Sequence, residues 1–328
     1  MVEKAAKTWF NPVPVLRTLV AIVAATGLAC AAAPASTPSP LIARGVTVSG
    51  VRIGGLTAEP ARAKLEVAFS RPMTIRTPRG PVRVTPGDVG ASSSIAAAIS
   101  SALAATPGSR IALPVRFSTT RISGVVGSLA RRFDRAAIDA TVTGATTAGP
   151  TFAPAKDGNA VDTTTMRAAL AQALRMGDRR PMALVEHRVA PNRTAANFGP
   201  VIVIVRGANT LTLYDGTRVV KRFPVATGQA IYPTPAGLWQ IMDKQQDPWW
   251  YPPTYDAWAK GLKPVPPGPS NPLGTRWMGL NAPGVGIHGT DAPTSIGYSA
   301  SHGCIRMQVP DAEWLFERVA VGTPVVIL

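Results

Sequence analysis

Apolar residues keep a helical rhythm in the first part of the chain and a strand rhythm in the second. Ala58 to Phe69 follows a Gly turn with Thr57 in the N-cap position. Met166, Leu170 and Leu174 form one stripe behind Asp162, a second capping residue. "SSSIAAAISSALAA" and "RISGVVGSLARRF" predict two further short helices. Between these lie strand candidates at Met73 to Arg76, Ile111 to Phe117, Ile138 to Thr143 and Met182 to Val189. The pattern predicts an α+β module of two related halves over residues 41–190, each repeating strand, Gly turn and helix.

From residue 200 the rhythm changes. "VIVIV" at Val201 to Val205, a turn at Gly207 to Asn209, Thr210 to Tyr214, a hairpin at Asp215-Gly216, and Arg218 to Val225 predict a β-meander. Asp247 to Asn271 is rich in Pro and Trp and has little periodicity. About 25 residues without pattern read as a lid or binding loop. A short helix from Ala312 to Val319, capped near Asp311 and stopped at Gly322, leads into a closing strand, "TPVVIL". The expected second domain, 200–328, is mainly β with one short helix.

The amino terminus adds a compartment. Lys4, Lys7 and Arg17 precede or begin an apolar run from Thr18 to Ala33 that ends in small residues and breaks at Pro34. Residues 1–33 therefore read as an export signal or membrane anchor, and Pro34 to Pro40 as a solvated Pro/Ser linker. Cleavage, retention as an anchor starting nearer Val13, and lipidation at Cys30 all fit this segment. The protein is expected in the cell wall or periplasmic space.

Charge sharpens the division. Net charge is +16 over 328 residues. Residues 41–197 hold 21 Lys plus Arg against 9 Asp plus Glu, a net of +12, while 198–328 hold 10 against 8. All five Tyr and six of the seven Trp lie after Phe198, so residues 191–199 read as a linker between a basic module and an aromatic one. The basic module should favour an anionic wall polymer. Nucleic acid is excluded as a partner, because few aromatics interleave with the arginines and the export signal removes the chain from it.

The candidate chemistry is concentrated in His288, Ser301, His302, Gly303 and Cys304. With Cys30 removed or lipidated, Cys304 is the one remaining thiol, and two of the three histidines precede it closely. A thiol needs an imidazole or backbone dipoles beside it to react at neutral pH. Gly303 leaves the turn's amides open toward a developing oxyanion. The third histidine, His187, lies between Glu186 and Arg188 on a predicted strand and reads as a surface or edge residue. A zinc site would want a further ligand, and Asp291 is the only acid nearby. A papain-like peptidase would place its Cys before its His, the reverse of the order here. No metal or cofactor is called for.

"IHGTDAPTSIGYSASHGCIRM" resembles the signature of the L,D-transpeptidases with a YkuD-type catalytic domain. "YDGTRVVKRFPVATGQAIYPTPAGLWQI" is similar to that family's entry strands, so the resemblance runs from Pro200 to Leu328. It implies an L,D-transpeptidase-like β-sandwich with Cys304 as nucleophile, His288 as base and Gly289 as the carbonyl that orients it. Ser301, His302 and Gly303 would form the oxyanion and substrate loop, and Arg306 would hold a substrate carboxylate or the loop. The implied reaction takes a tetrapeptide stem of peptidoglycan, releases D-Ala and forms a 3–3 cross-link; hydrolysis of the same acyl-enzyme, or a non-catalytic wall-binding role, are the alternatives. Carbapenem β-lactams would acylate the same thiol. "GVTVSGVRIGGLTAEPARAKL", followed by "DGNAVDTTTMRAAL", resembles the peptidoglycan-binding module placed ahead of cell-wall enzymes.

Overall fold

The computed structural model describes residues 39–328 apart from Tyr255. The export segment expected over 1–33, with Cys30, and nearly all of the Pro/Ser linker lie outside the described residues.

Four helices organise the basic module: α1 (Ala58–Ser70), α2 (Ile95–Leu103), α3 (Thr119–Phe133) and α4 (Thr163–Met176). α1 packs on α2 and α3 on α4. One core gathers Ile42, Val48, Ile53, Leu65 and Ile99; the other gathers Ile75, Ile122, Leu129, Met166, Leu170 and Leu174. Two halves are present as expected, but they interleave. The chain leaves the first core after α1, builds strands Met73–Arg76 and Val82–Val84 for the second, and returns with α2. Asp162 caps α4 by accepting from the Thr165 N–H at 2.9 Å, whereas Thr57 holds the N-cap position of α1 without a side-chain hydrogen bond.

Three strand boundaries shift. Ile111 to Phe117 divides into Arg110–Ile111 and Val115–Arg116 on different sheets, with Pro114, which has no N–H to donate, between them. Met182 to Val189 divides likewise, Met182–Ala183 joining Met73–Arg76 and Glu186–Val189 pairing with Gly158–Val161. His187 is exposed on that two-stranded sheet. The strand expected from Ile138 runs from Thr141 to Thr146, because Ile138 itself is exposed and bridges only Lys156.

Thr141–Thr146 and Gly149–Ala153 form a hairpin that reaches into the second domain. Its Val142, Ala145 and Phe152 pack against Val201, Val203 and Tyr214. Ile202 and Ile204, alternating with those valines, face the opposite core, so the strand is covered on both sides and is apolar without interruption. Residues 191–199 are held as well: Asp139 Oδ1 accepts from the N–H groups of Asn192 and Arg193 at 2.7 and 3.0 Å.

The second domain is one eight-stranded sheet in the order Arg218–Pro224, Thr210–Asp215, Pro200–Val205, Pro324–Ile327, Gly237–Gln246, Arg276–Leu280, Gly286–His288, Ile305–Arg306. The predicted meander forms one end of it. The closing strand does not follow in sequence but inserts centrally, parallel to Pro200–Val205 and antiparallel to Gly237–Gln246. Residues from both ends, Phe223 and Leu213 with Met278, Ile287 and Ile305, share one core, so the two layers are halves of a single curled sheet. Its edges meet where Ala226 and Arg306 exchange backbone hydrogen bonds of 2.9 and 3.0 Å. α5 (Val309–Phe316) adds Ala312 and Leu315 to this core. It starts earlier than expected: Pro310 occupies its first turn, and Asp311 sits inside that turn rather than capping it.

Candidate active site

Strand pairing brings the sequence-predicted residues together. His288 ends its strand between two neighbours, in register with Trp277 on one side and Arg306 on the other. The Trp277 ring lies over Gly286, where any Cβ would come within 2.3 Å of it, so only glycine fits at that position. Cys304 immediately precedes the strand Ile305–Arg306, and Ser301 ends the strand Ser299–Ser301. Trp277, His288, Ser301, His302, Cys304 and Arg306 all line one cleft of about 1100 Å³.

His288 is 4% exposed. Its Nδ1 lies 2.5 Å from the Gly289 carbonyl oxygen, and a carbonyl can only accept, so Nδ1 carries the proton and Nε2 carries the lone pair. Burial above all pushes its pKa down to about 4, and the Arg306 charge acts in the same direction against the carbonyls of Gly289 and Pro272. Burial likewise pushes the Cys304 thiol up, while the Gly286 N–H and Arg306 pull it back. Both shifts favour the uncharged forms of the thiol and the imidazole. The Sγ donates weakly to the Gly284 carbonyl at 3.5 Å, and among the described residues no hydrogen bond joins it to His288.

The Ser301 to Cys304 turn is fixed by its own side chains. Ser301 is buried; its Oγ donates to the Cys304 carbonyl at 2.6 Å and accepts from the Gly303 N–H at 3.1 Å. Gly303 has φ +114°, a conformation that side chains resist. Its N–H is therefore engaged by Ser301, which differs from the expected donation to an oxyanion. The Cys304 N–H has no acceptor among the described residues and remains free to donate. The Gly303 carbonyl accepts from Thr234 Oγ1 at 2.8 Å, and the same hydroxyl accepts from the Gly228 N–H at 2.8 Å. Thr234 is fully buried and ties the turn to a segment 69 residues earlier. That distance in sequence hid it from any local pattern.

His302 does not share the environment of His288. Its ring is exposed, stacks on Trp258 of the Asp247–Asn271 loop and tilts against Tyr232. Its pKa is lowered mainly by burial and then by Arg306, with Asp256 opposing. Arg306 lines the cleft, and among the described residues no carboxylate pairs with it. The loop itself is anchored at its base. Trp250 and Val265 exchange backbone hydrogen bonds of 3.0 and 2.9 Å, and buried Asn271 donates to the Pro248 and Pro266 carbonyls at 2.8 and 3.1 Å.

Parts of the chain match known proteins. Residues 199–327 match the model of the L,D-transpeptidase catalytic domain, and residues 84–183 that of a "putative peptidoglycan binding domain". "Putative L,D-transpeptidase YkuD" of Bacillus subtilis is 36% identical over 126 residues, which are 38% of this chain and 64% of that protein. "Putative L,D-transpeptidase YqjB" of the same species is 32% identical over 133 residues, 39% of this chain and 70% of that protein. A crystal structure of an Enterococcus faecium L,D-transpeptidase aligns over 82% of this chain and 100% of that one, at 19% identity and a TM-score of 0.36. The chain thus spans a little under two thirds of the first of these relatives. It belongs to the YkuD family of L,D-transpeptidases and is an enzyme of that family, with the match to the putative peptidoglycan binding domain lying ahead of its catalytic domain.

Proposed function

We propose that this protein is an exported cysteine L,D-transpeptidase that forms 3–3 cross-links in peptidoglycan. The observation that carries this reading is the Cys304 thiol in the cleft beside a histidine whose Nδ1 is committed to the Gly289 carbonyl. His288 Nε2 accepts the thiol proton as sulfur attacks the carbonyl carbon of the third residue of a tetrapeptide stem. Because both shifts favour the uncharged forms, proton transfer and attack proceed together rather than from a preformed ion pair. The oxyanion forms against the Cys304 N–H. The C–N bond to D-Ala breaks, D-Ala leaves with the proton from His288, and a thioester remains. The amine of a second stem attacks it, losing its proton to His288. The C–S bond then breaks, the new amide is released, and the proton returns to sulfur.

Arg306, which pairs with no carboxylate among the described residues, suits a carboxylate of the donor stem. The cationic module, at +12, suits an anionic wall. The test is intact-mass analysis of the full chain with a tetrapeptide stem, with and without an acceptor amine. The expected species is a Cys304 adduct lacking D-Ala, followed by a cross-linked dimer once acceptor is present. Tripeptide alone at saturating acceptor would make the protein an L,D-carboxypeptidase. Dimer formation by Cys304→Ala would overturn the mechanism.

A further inference from the structure

The loop over the cleft carries an apolar feature that the acyl-transfer chemistry does not use. It is the run Trp249-Trp250-Tyr251, whose outer two residues are exposed and whose central one is not. Trp250 is half-buried and paired with Val265, which fixes the segment. Trp249 and Tyr251 are 50% and 67% exposed, with ring planes 25° apart and centroids 6.3 Å apart. The two rings are nearly parallel and both are open to water, an aromatic platform at the cleft. Both keep half or more of their surface open to water on a segment anchored at the mouth of the cleft.

The platform belongs to the rim of the cleft that holds Cys304, and its neighbours on that rim are polar: Gln245, Gln246 and Asp247, all exposed. Gln246 and Asp247 make no side-chain hydrogen bond with the described residues, so an amide and a carboxylate stand ready beside the rings. Flat aromatic faces next to amide and carboxylate groups match a pyranose, whose C–H face stacks on a ring while its hydroxyl and acetamido groups make hydrogen bonds at the edge. A lipid or an apolar peptide would leave those polar groups without partners. We propose that Trp249 and Tyr251 form a binding platform for an N-acetylated amino sugar of the glycan strand, and that the enzyme recognises its donor by sugar as well as by peptide. This rests on the functional reading above, since a stem in the cleft carries its sugar to the rim.

The test has two parts. The stem-free N-acetylglucosaminyl–N-acetylmuramic acid disaccharide is titrated into the full-length Cys304→Ala chain and followed by tryptophan fluorescence. A saturable response in the millimolar range is expected, and it should be lost in Trp249→Ala/Tyr251→Ala. No saturable response, or an unchanged one in the double variant, overturns the proposal. With active enzyme, a disaccharide–tetrapeptide donor should have a KM about tenfold below that of the bare tetrapeptide. The double variant should erase this preference and bring the KM values of the two donors together; an equal loss on both donors, with the tenfold ratio kept, would make the pair structural. If neither donor acylates Cys304, the functional reading fails while the titration still decides the sugar site.

Discussion

Trp258 lies flat on the imidazole of His302, with ring centroids 4.0 Å apart and planes 14° apart. Trp258 belongs to the loop over the cleft and His302 to the turn that carries Cys304, so this stack joins loop to turn. The stack predicts that His302 acts by positioning the turn. His302→Ala should raise KM for the donor stem several-fold, and His302→Phe, which keeps a flat ring, should recover most of it. Steady-state kinetics on the three proteins checks this, and a loss unchanged by phenylalanine would point to chemistry by the imidazole.

His288 should behave differently. Removing a general base lowers rates by about 10² to 10⁴, so His288→Ala should lose acylation by that order in stopped-flow or mass-resolved assays. A larger loss in His302→Ala would reverse the assignment.

The shifts toward the uncharged forms set the pH dependence of thiol reactivity. Because burial raises the Cys304 thiol, iodoacetamide alkylation should be slow at neutral pH and keep climbing beyond the ordinary thiol pKa of about 8.5. A rate plateau below neutrality would instead reveal a thiolate–imidazolium pair.

Stability should also respond to His288. Its pKa falls to about 4 in the fold, whereas an unfolded histidine titrates near 6.5. The unfolded chain then binds the extra proton between these values. Stability from this group is complete above pH about 6.5 and declines by roughly 3 kcal/mol as pH falls toward 4. Urea unfolding of the wild type and of His288→Asn at several pH values should show that slope only in the former.

Thr234→Val keeps shape but leaves the Gly228 N–H and the Gly303 carbonyl without their partner. Each unpaired buried group costs about 1–3 kcal/mol, so Tm should fall by several degrees. Acylation should slow as the turn loosens, and a variant with unchanged Tm and rate would remove Thr234 from the site.

The basic module should bind purified sacculi in a salt-sensitive way, because exposed charges are screened over about 8 Å at physiological ionic strength. Co-sedimentation of the full chain carrying charge-reversed Arg131 and Arg132 should weaken relative to wild type at low salt and converge with it at high salt. Equal binding at all salt concentrations would contradict an electrostatic contribution.

Local chemistry explains what the sequence determined alone. Asp162 caps α4 three residues from its partner, the meander strands alternate with short turns, and His288, Ser301, His302 and Cys304 stand close enough in the chain for their spacing to signal a thiol site. Those features depend on neighbours within a few residues. Tertiary structure decided what depends on distant partners. The run Val201 to Val205 reads as a strand, but its two-sided burial becomes intelligible only when the 141–153 hairpin covers one face. Thr234 meets its partner in a carbonyl 69 residues away, and His302 differs from His288 in surroundings through the tryptophan that stacks on it. A periodicity or a motif records how a residue relates to its own element. Which buried carbonyl needs a donor, which imidazole is desolvated and which glycine admits an indole are settled only where elements meet, because hydrogen bonding and desolvation act through space.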